Sequence, residues 1–402
     1  MTDKSIFGLV CAGGGAHGAY QVGVLKYIHE KFCSGSRSPF QIFAGTSCGA
    51  LNTTFYAAQS FDAFQSRLLL EELWLNFHVP AYHGSLFKNV LFSIYKKCRK
   101  RDSENKTTWS VLDPKAMLET IQKGFRRENL DRALNQGSTR GVALSATELL
   151  SGQTCWFQEG AGATSWSLFH SVGVIDRITH AHLAASCSVP IFLPPVKIGD
   201  RYFLDGSVNL DRPLSAAIHM GATRVLSIST DKPFPDALPD YPPQFQPRFS
   251  DAIRLLLNRL SRDAAPDEAA EIEMFNRFYN ALSRREKHLR DESPLPLFHE
   301  EALPSHYRPT EIYLLVPSRR IRQGSPFYEW PQGKISSGEA VSHKRSRFMF
   351  HKKFIREMID FGYQDARLQR EELEKFFSPP KKRKYWSIFS RRIRLAVQAE
   401  GG

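Results

Sequence analysis

Apolar positions over the first 230 residues alternate between continuous runs typical of buried strands and the three-to-four spacing of helices. Ile6 to Cys11 is one such run and predicts a strand, while Val22, Leu25 and Ile28 lie on one stripe and predict a helix from Ala19 to about Lys31. Gln41–Ala44 predicts a short second strand and Ala50–Ala58 a second helix, with glycine-rich turns after both strands. Residues 62–135 read as mainly helical, interrupted at His83-Gly84 and Asp113-Pro114, and are expected to cap the sheet. Strands resume at Gly141–Ala146 and Thr154–Phe157, and a helical stretch follows at Ile178–Ala185. A hairpin-like pair, Val196–Ile198 and Tyr202–Leu204, ends at Asp205-Gly206, before a helix at Leu214–Met220 and a strand at Val225–Ser229. The strand–helix alternation predicts an α/β fold: a central, mostly parallel sheet flanked by helices.

Beyond residue 231 the pattern changes. Proline-rich stretches at 232–247 and 293–296 bracket charged helical segments at about 251–290, Glu311–Pro317 predicts one more strand, and 341–377 a long polar helix. The expected organisation is a domain over 6–231 with its cap at about 62–135, a mainly helical C-terminal extension over 232–377, and a basic aromatic tail over 378–402.

Composition narrows the function classes. No apolar run reaches the roughly 18 residues of a membrane span, and the start of the chain has no apolar segment ending in a small-residue cleavage site, so neither a transmembrane helix nor a Sec signal is expected. Six cysteines without paired spacing predict reduced thiols and a cytoplasmic protein. The 54 Lys and Arg against 41 Asp and Glu, a net +13, favour an anionic surface as partner. No nucleic-acid-binding module accompanies that charge, and no nucleic acid is expected.

Two turns carry candidate chemistry. Gly13-Gly14-Gly15-Ala16-His17-Gly18 sits between a strand and a helix, where successive backbone N–H groups can hold negative charge. The spacing suits a dinucleotide pyrophosphate or an oxyanion, but the second strand ends in Gly45-Thr46-Ser47, without the acidic residue a ribose needs. Gly45-Thr46-Ser47-Cys48-Gly49 is a Gly-x-Ser-x-Gly turn that suits either an exposed nucleophile or a serine capping the next helix. A serine nucleophile needs a base. His170, His180, His182 and His219 are not in glycine-rich loops after strands, whereas Asp205 ends an apolar strand, followed by Gly206 and Ser207. An ordinary Asp-Gly turn would look the same.

Taken together and in order, these residues resemble the patatin-like phospholipases from about Phe7 to Thr230, with further likeness at Ala184–Phe192 and from Arg212 to Ala222. The resemblance implies the patatin-like three-layer fold and a lipid acyl hydrolase of phospholipase A or lysophospholipase type. It assigns Ser47 as nucleophile, Asp205 as base, Gly13 to Gly18 as oxyanion hole, Gly45, Thr46, Cys48 and Gly49 as the nucleophile elbow, and Gly206 and Ser207 as the Asp-Gly motif. No histidine, metal or cofactor is implied. His17 stands where relatives usually carry Arg or Lys, Ser207 where Gly or Ala is usual, and Cys48 where Ala is common, from which sensitivity to bulky thiol reagents is expected. The expected partners are a fatty-acyl ester and a phospholipid membrane bound peripherally, with a protein activator left open. Phe87, Leu91 and Phe92 in the cap and Ile191, Phe192 and Leu193 are candidate acyl-chain contacts. The tail from Pro379 to Leu395, with clustered cations and Trp386, Ile388 and Phe389, suits a membrane anchor, an import signal or a solvated segment. The competing expectation is a catalytically silent lipid-binding or scaffold protein on the same fold.

Overall fold

The computed structural model describes residues 5–33, 37–77, 114–168, 170–190, 192–209, 213–230, 264–277, 309–318, 347 and 350–379. The basic stretch at 96–101, the acyl-contact candidates Phe87, Leu91, Phe92 and Ile191, the two proline-rich stretches and the tail from residue 380 lie outside them.

The chain opens with β1 (Phe7–Cys11), a single 3-10 turn over Gly15–His17, α1 (Gly18–Phe32), β2 (Ile42–Thr46), α2 (Cys48–Ala58) and α3 (Ala63–Asn76). It continues with α4 (Lys115–Gly124), α5 (Arg127–Asn135), β3 (Gly141–Glu148), β4 (Thr154–Glu159), β5 (Trp166–Leu168), β6 (Ser171–Ile175) and α6 (His180–Ser186). Next come β7 (Val196–Ile198), β8 (Arg201–Asp205), α7 (Pro213–His219) and β9 (Arg224–Ile228). The last elements are α8 (265–277), β10 (Glu311–Leu315), α9 (Lys352–Leu368) and α10 (Arg370–Phe377).

One ten-stranded sheet runs in the order β10-β9-β1-β2-β3-β4-β6-β5, with β8 on β3 and β7 on β8. The pairs from β10 to β3 are parallel, as the strand–helix alternation predicts. Strands β1, β2 and β9 are buried almost throughout, and the pleat sends their side chains alternately into two cores. Leu9, Cys11, Phe43, Leu226 and Ile228 face α1, α2 and α9. Val10, Ile42, Ala44 and Val225 face α7 and α8. This is the helix–sheet–helix layering expected.

Sequence patterning missed one hairpin and misread one helix. The β5–β6 hairpin sits at the sheet edge, where its half-exposed positions give no clean alternation. The described part of the segment read as one long polar helix is two helices meeting at Gln369, and α9 is amphipathic. Phe354, Ile355, Met358, Ile359 and Gly362 form a buried stripe interleaved with the charges that made the segment look polar. The strand predicted at Glu311–Pro317 is present as β10 and extends the sheet beyond β9, so these parts of residues 232–377 share the sheet and core of residues 6–231.

The α1–α9 crossing depends on two glycines that let the backbones touch. A Cβ on Gly23 would lie 1.9 Å from the Ile359 carbonyl oxygen, and one on Gly362 would lie 1.9 Å from the Tyr20 carbonyl oxygen. Tyr20 Oη also donates to Asp365 at 2.9 Å. Alanine is the better helix former, but here its methyl meets rigid backbone, so the helices must separate. Gly23→Ala and Gly362→Ala are each expected to destabilise the protein by about 1–3 kcal/mol, read as a lower urea midpoint.

Candidate active site

Strand register brings the candidate nucleophile and base together. Strand β4 occupies one edge of β3 along Val142–Thr147, so β2 and β8 share the other. The parallel β2 ends with Thr46 opposite Ser145, and the antiparallel β8 ends with Asp205 opposite Ala146, the next residue of β3. Ser47 and Asp205 therefore leave two strands that meet end to end. Ser145 fills the junction: its Oγ lies 2.8 Å from Thr46 Oγ1, and a Cβ on Gly206 would come within 2.0 Å of it. Thr147 Oγ1 donates to the Asp205 carbonyl at 3.1 Å.

Ser47 has φ 55° and ψ −126°, the only positive φ of a non-glycine among the described residues. Such a conformation costs on the order of 1–3 kcal/mol and persists only where neighbours enforce it. Here they do. A Cβ on Gly45 would lie 2.4 Å from the Gly49 carbonyl oxygen, and one on Gly49 would lie 2.1 Å from that of Cys11. The Ser47 N–H donates to Ser186 Oγ at 3.0 Å, and the Asp205 N–H to the Ser188 carbonyl at 2.9 Å, so the end of α6 holds both residues. Ser47 occupies the N-cap position of α2 but makes no side-chain capping bond, which leaves its hydroxyl out of helix capping.

Asp205 is fully buried. Its Oδ1 accepts from the Ser207 N–H at 2.8 Å, the ordinary role of an Asp-Gly turn. Its Oδ2 is buried with no hydrogen-bond partner among the described residues. Burial pushes the carboxyl up to about 6, opposed by the nearby Ser47 hydroxyl and by the Ser207 amide and hydroxyl. The Ser47 hydroxyl thus favours the carboxylate form of Asp205.

The glycine loop packs against this pair. A Cβ on Gly14 would lie 2.3 Å from Thr230 Oγ1, and Gly15, at φ +58°, would place one 2.4 Å from the Arg347 carbonyl oxygen. Thr230 Oγ1 donates to the Gly13 carbonyl at 2.6 Å. Of the six loop residues assigned to an oxyanion hole, three have their amides engaged: Ala16 donates to the Arg347 carbonyl, His17 to that of Gly14 and Gly18 to that of Gly15. The amides of Gly13, Gly14 and Gly15 donate to no backbone carbonyl among the described residues, and those of Gly14 and Gly15 lie near enough to Cys48 to favour its thiolate. His17 is fully buried, 6.3 Å from the Phe354 ring. Beneath the loop, Trp74 Nε1 donates to Asn52 Oδ1, Asn52 Nδ2 to Gln21 Oε1 and the Gly18 carbonyl, and Gln21 Nε2 to the Ala12 carbonyl.

The histidines are placed elsewhere. His182 is buried between Thr179 and Asp176, His180 reaches the Phe125 carbonyl, His219 stacks on Trp166, and His170 is exposed. Among the described residues no group of three or more His, Cys, Asp or Glu side chains is placed to hold a metal ion. No helix among them is long and apolar enough to cross a membrane.

Ser47 opens onto an apolar cavity of about 130 Å³ whose walls include Leu51, Phe55, Trp74, Met117, Phe192 and Phe350. Leu193 also lines it, together with Cys48, Cys187 and the buried Arg347. Burial pulls the Arg347 guanidinium down to about 10, still cationic at neutral pH. Sequence reasoning did not find Arg347, Ser145 or Ser186. Ser186 lies in a stretch recognised only as a resemblance, while Arg347 is 300 residues from Ser47 and no local pattern links them.

The chain belongs to the patatin-like phospholipase family, whose family model matches residues 9–218, and it is accordingly a hydrolase of lipid esters in class. No curated protein sequence matches it. Among solved structures it is similar to VipD from Legionella pneumophila, at 13% identity and a TM-score of 0.34, over 92% of this chain and 67% of that one. It is also similar to human GIVD cytosolic phospholipase A2 in complex with methyl gamma-linolenyl fluorophosphonate, at 11% identity and a TM-score of 0.37. That match covers 93% of this chain and 58% of the human one.

Two measurements follow from the buried groups. In the unfolded chain an aspartate titrates near 3.9, so between about pH 4 and 6 the unfolded state has released a proton that folded Asp205 still holds. Stability from this group is complete below pH 4 and is lost as pH rises through 6. Asp205→Asn is expected to exceed wild type by about 2–3 kcal/mol at pH 7 and to match it below pH 4 in urea unfolding. Cys48 is buried, and burial followed by the Asp205 charge pushes its thiol up to about 12. Contrary to the expectation from sequence, it should escape iodoacetamide in the native protein at pH 7 and be alkylated only after unfolding, as read by mass spectrometry.

Proposed function

We propose that the protein hydrolyses fatty-acyl esters of phospholipids or lysophospholipids through a Ser47 acyl-enzyme. The observation that carries this reading is the buried Asp205 Oδ2, unpartnered among the described residues, beside a serine held in a strained turn at the wall of an apolar cavity. Asp205 accepts the Ser47 hydroxyl proton as Ser47 Oγ attacks the ester carbonyl. The amides of Gly13, Gly14 and Gly15 hold the oxyanion, an interaction worth about 2.7–4 kcal/mol per donor. Collapse expels the lipid alcohol, which takes the proton from Asp205. Water, deprotonated by the same carboxylate, then attacks the acyl-enzyme, and Ser47 leaves reprotonated with release of the fatty acid. The scheme calls for no metal or cofactor. Arg347 supplies beside the loop the permanent positive charge that His17 does not, and the apolar walls receive the acyl chain. Peripheral contact with a phospholipid surface follows from the substrate.

Fatty-acid release from mixed phospholipid vesicles and from a soluble acyl ester tests the reading. Ser47→Ala and Asp205→Ala, each with wild-type circular dichroism, are expected to lose on the order of a thousandfold or more in turnover of both substrates. Because the base must be ionised, kcat/KM should rise with pH through about 6 and then level. Equal turnover in wild type and both variants would remove the dyad. No turnover in any of them, with vesicle binding intact, would favour the silent lipid-binding protein.

A further inference from the structure

Three large apolar side chains stand together in solvent just past the end of β3 and at the start of β8. Leu150, at the apex of the β3–β4 turn, is 92% exposed, and Leu149 and Tyr202 are 44% and 48% exposed. They are neighbours, because the Leu149 N–H donates to the Tyr202 carbonyl at 2.9 Å and continues the β3–β8 pairing. Turn apices are ordinarily polar or glycine, and isolated exposed leucines elsewhere on a surface need no explanation. This cluster differs, because the turn does not need its leucines. Glu148 accepts from the Ser151 N–H at 2.7 Å, the Gly152 N–H returns to the Glu148 carbonyl at 3.0 Å, Gly152 takes φ +68°, and Asn209 Nδ2 donates to the Gly152 carbonyl. Polar and glycine residues thus hold the turn closed while two leucines project from it.

The position matters as much as the exposure. Ala146 is opposite Asp205, Leu149 is three residues further along β3, and Tyr202 is three residues back along β8. At about 3.3 Å per residue, both lie about 10 Å along their strands from the Asp205 position, at the same end of the sheet as Ser47. Lys197, directly opposite Tyr202 across the β7–β8 pair, and Arg201 are exposed beside them, with Asp200 in that turn and the buried Glu148 carboxylate near Arg201.

We propose that the Leu149–Leu150 turn, with Tyr202, Lys197 and Arg201, docks the protein on a phospholipid membrane. The leucines enter the acyl region, the tyrosine ring sits at head-group level, and the two cations meet lipid phosphates, in keeping with a chain of net charge +13. Docking there sets the sheet end that carries Ser47 against the lipid surface. The purpose of this surface rests on the lipid-hydrolase reading, but its existence is measurable without it.

The test uses the full chain, vesicles of phosphatidylcholine mixed with phosphatidylglycerol, and a soluble acyl ester. Sedimentation measures partitioning of wild type, of the Leu149→Asp, Leu150→Asp double variant, and of Leu368→Asp, which removes a leucine 58% exposed at the end of α9. Each leucine withdrawn from water is worth about tenfold or more in partitioning. The double variant is therefore expected to bind vesicles at least about tenfold more weakly, to lose vesicle hydrolysis in proportion, and to keep its soluble-ester turnover, while Leu368→Asp behaves as wild type. Unchanged partitioning of the double variant overturns the proposal, and equal losses in both leucine variants overturn the location. Loss of soluble-ester turnover in a folded double variant also overturns it, because the turn would then act on the site itself. If wild type hydrolyses neither substrate yet the double variant alone loses vesicle binding, the docking surface stands and the hydrolase reading falls.

Discussion

The end-to-end meeting of β2 and β8 along one edge of β3 is the constraint on which the site depends. Consecutive residues of β3, Ser145 and Ala146, face Thr46 and Asp205 from opposite directions. Because backbone hydrogen bonds set that register, the positions of Ser47 and Asp205 follow from sheet formation and not from long flexible side chains. A one-residue slip of β8 would turn the carboxylate to the other face of the sheet. Ser145, bonded to Thr46 and packed where only a glycine at 206 leaves room, fills the junction and opposes such a slip.

The site is costly to the fold. Ser47 sits at a positive φ, Asp205 is buried with one oxygen unpartnered among the described residues, and Arg347 keeps its charge inside the protein. What offsets these terms is a set of buried polar contacts spread over many elements. Trp74, Asn52 and Gln21 tie α3, α2 and α1 to the backbone below the glycine loop, and Ser186 and Ser188 place the end of α6 on both proposed catalytic residues. Strain of this kind would pre-organise the proposed nucleophile, and close backbone contacts make glycine indispensable at 45 and 49 on steric grounds alone.

The late part of the chain is integral to this arrangement. Strand β10 pairs with β9, and Arg224 of β9 pairs with Glu311 at 2.9 Å while its guanidinium lies over Phe7 and Phe376. Helix α9 covers α1 through the Gly23 and Gly362 contacts, and the Arg347 carbonyl receives the Ala16 amide of the glycine loop. A loop at the front of the chain is thus completed by a residue more than 300 positions away.

Much of the fold was legible in the sequence, because continuous apolar runs and three-to-four spacing report burial directly. The strands carrying the glycine loop, Ser47 and Asp205 were visible that way, and so were the two glycine turns, whose residue types are dictated by local sterics. The edge strand β5 and its hairpin partner β6 were not, since short half-exposed strands carry no clean period, and α9 was masked by charges on its outer face. Local pattern also left each candidate ambiguous: Ser47 could cap a helix and Asp205 could close a turn. Only tertiary structure decided that the Ser47 hydroxyl makes no cap, that Asp205 Oδ2 is buried without a partner among the described residues, and that Ala16, His17 and Gly18 have their amides engaged. The same holds for Arg347, brought to the cavity wall by chain packing that no short-range pattern encodes. A sequence determines which conformations each segment favours, but which atoms face one another depends on strand register and burial, and these exist only once distant segments have packed.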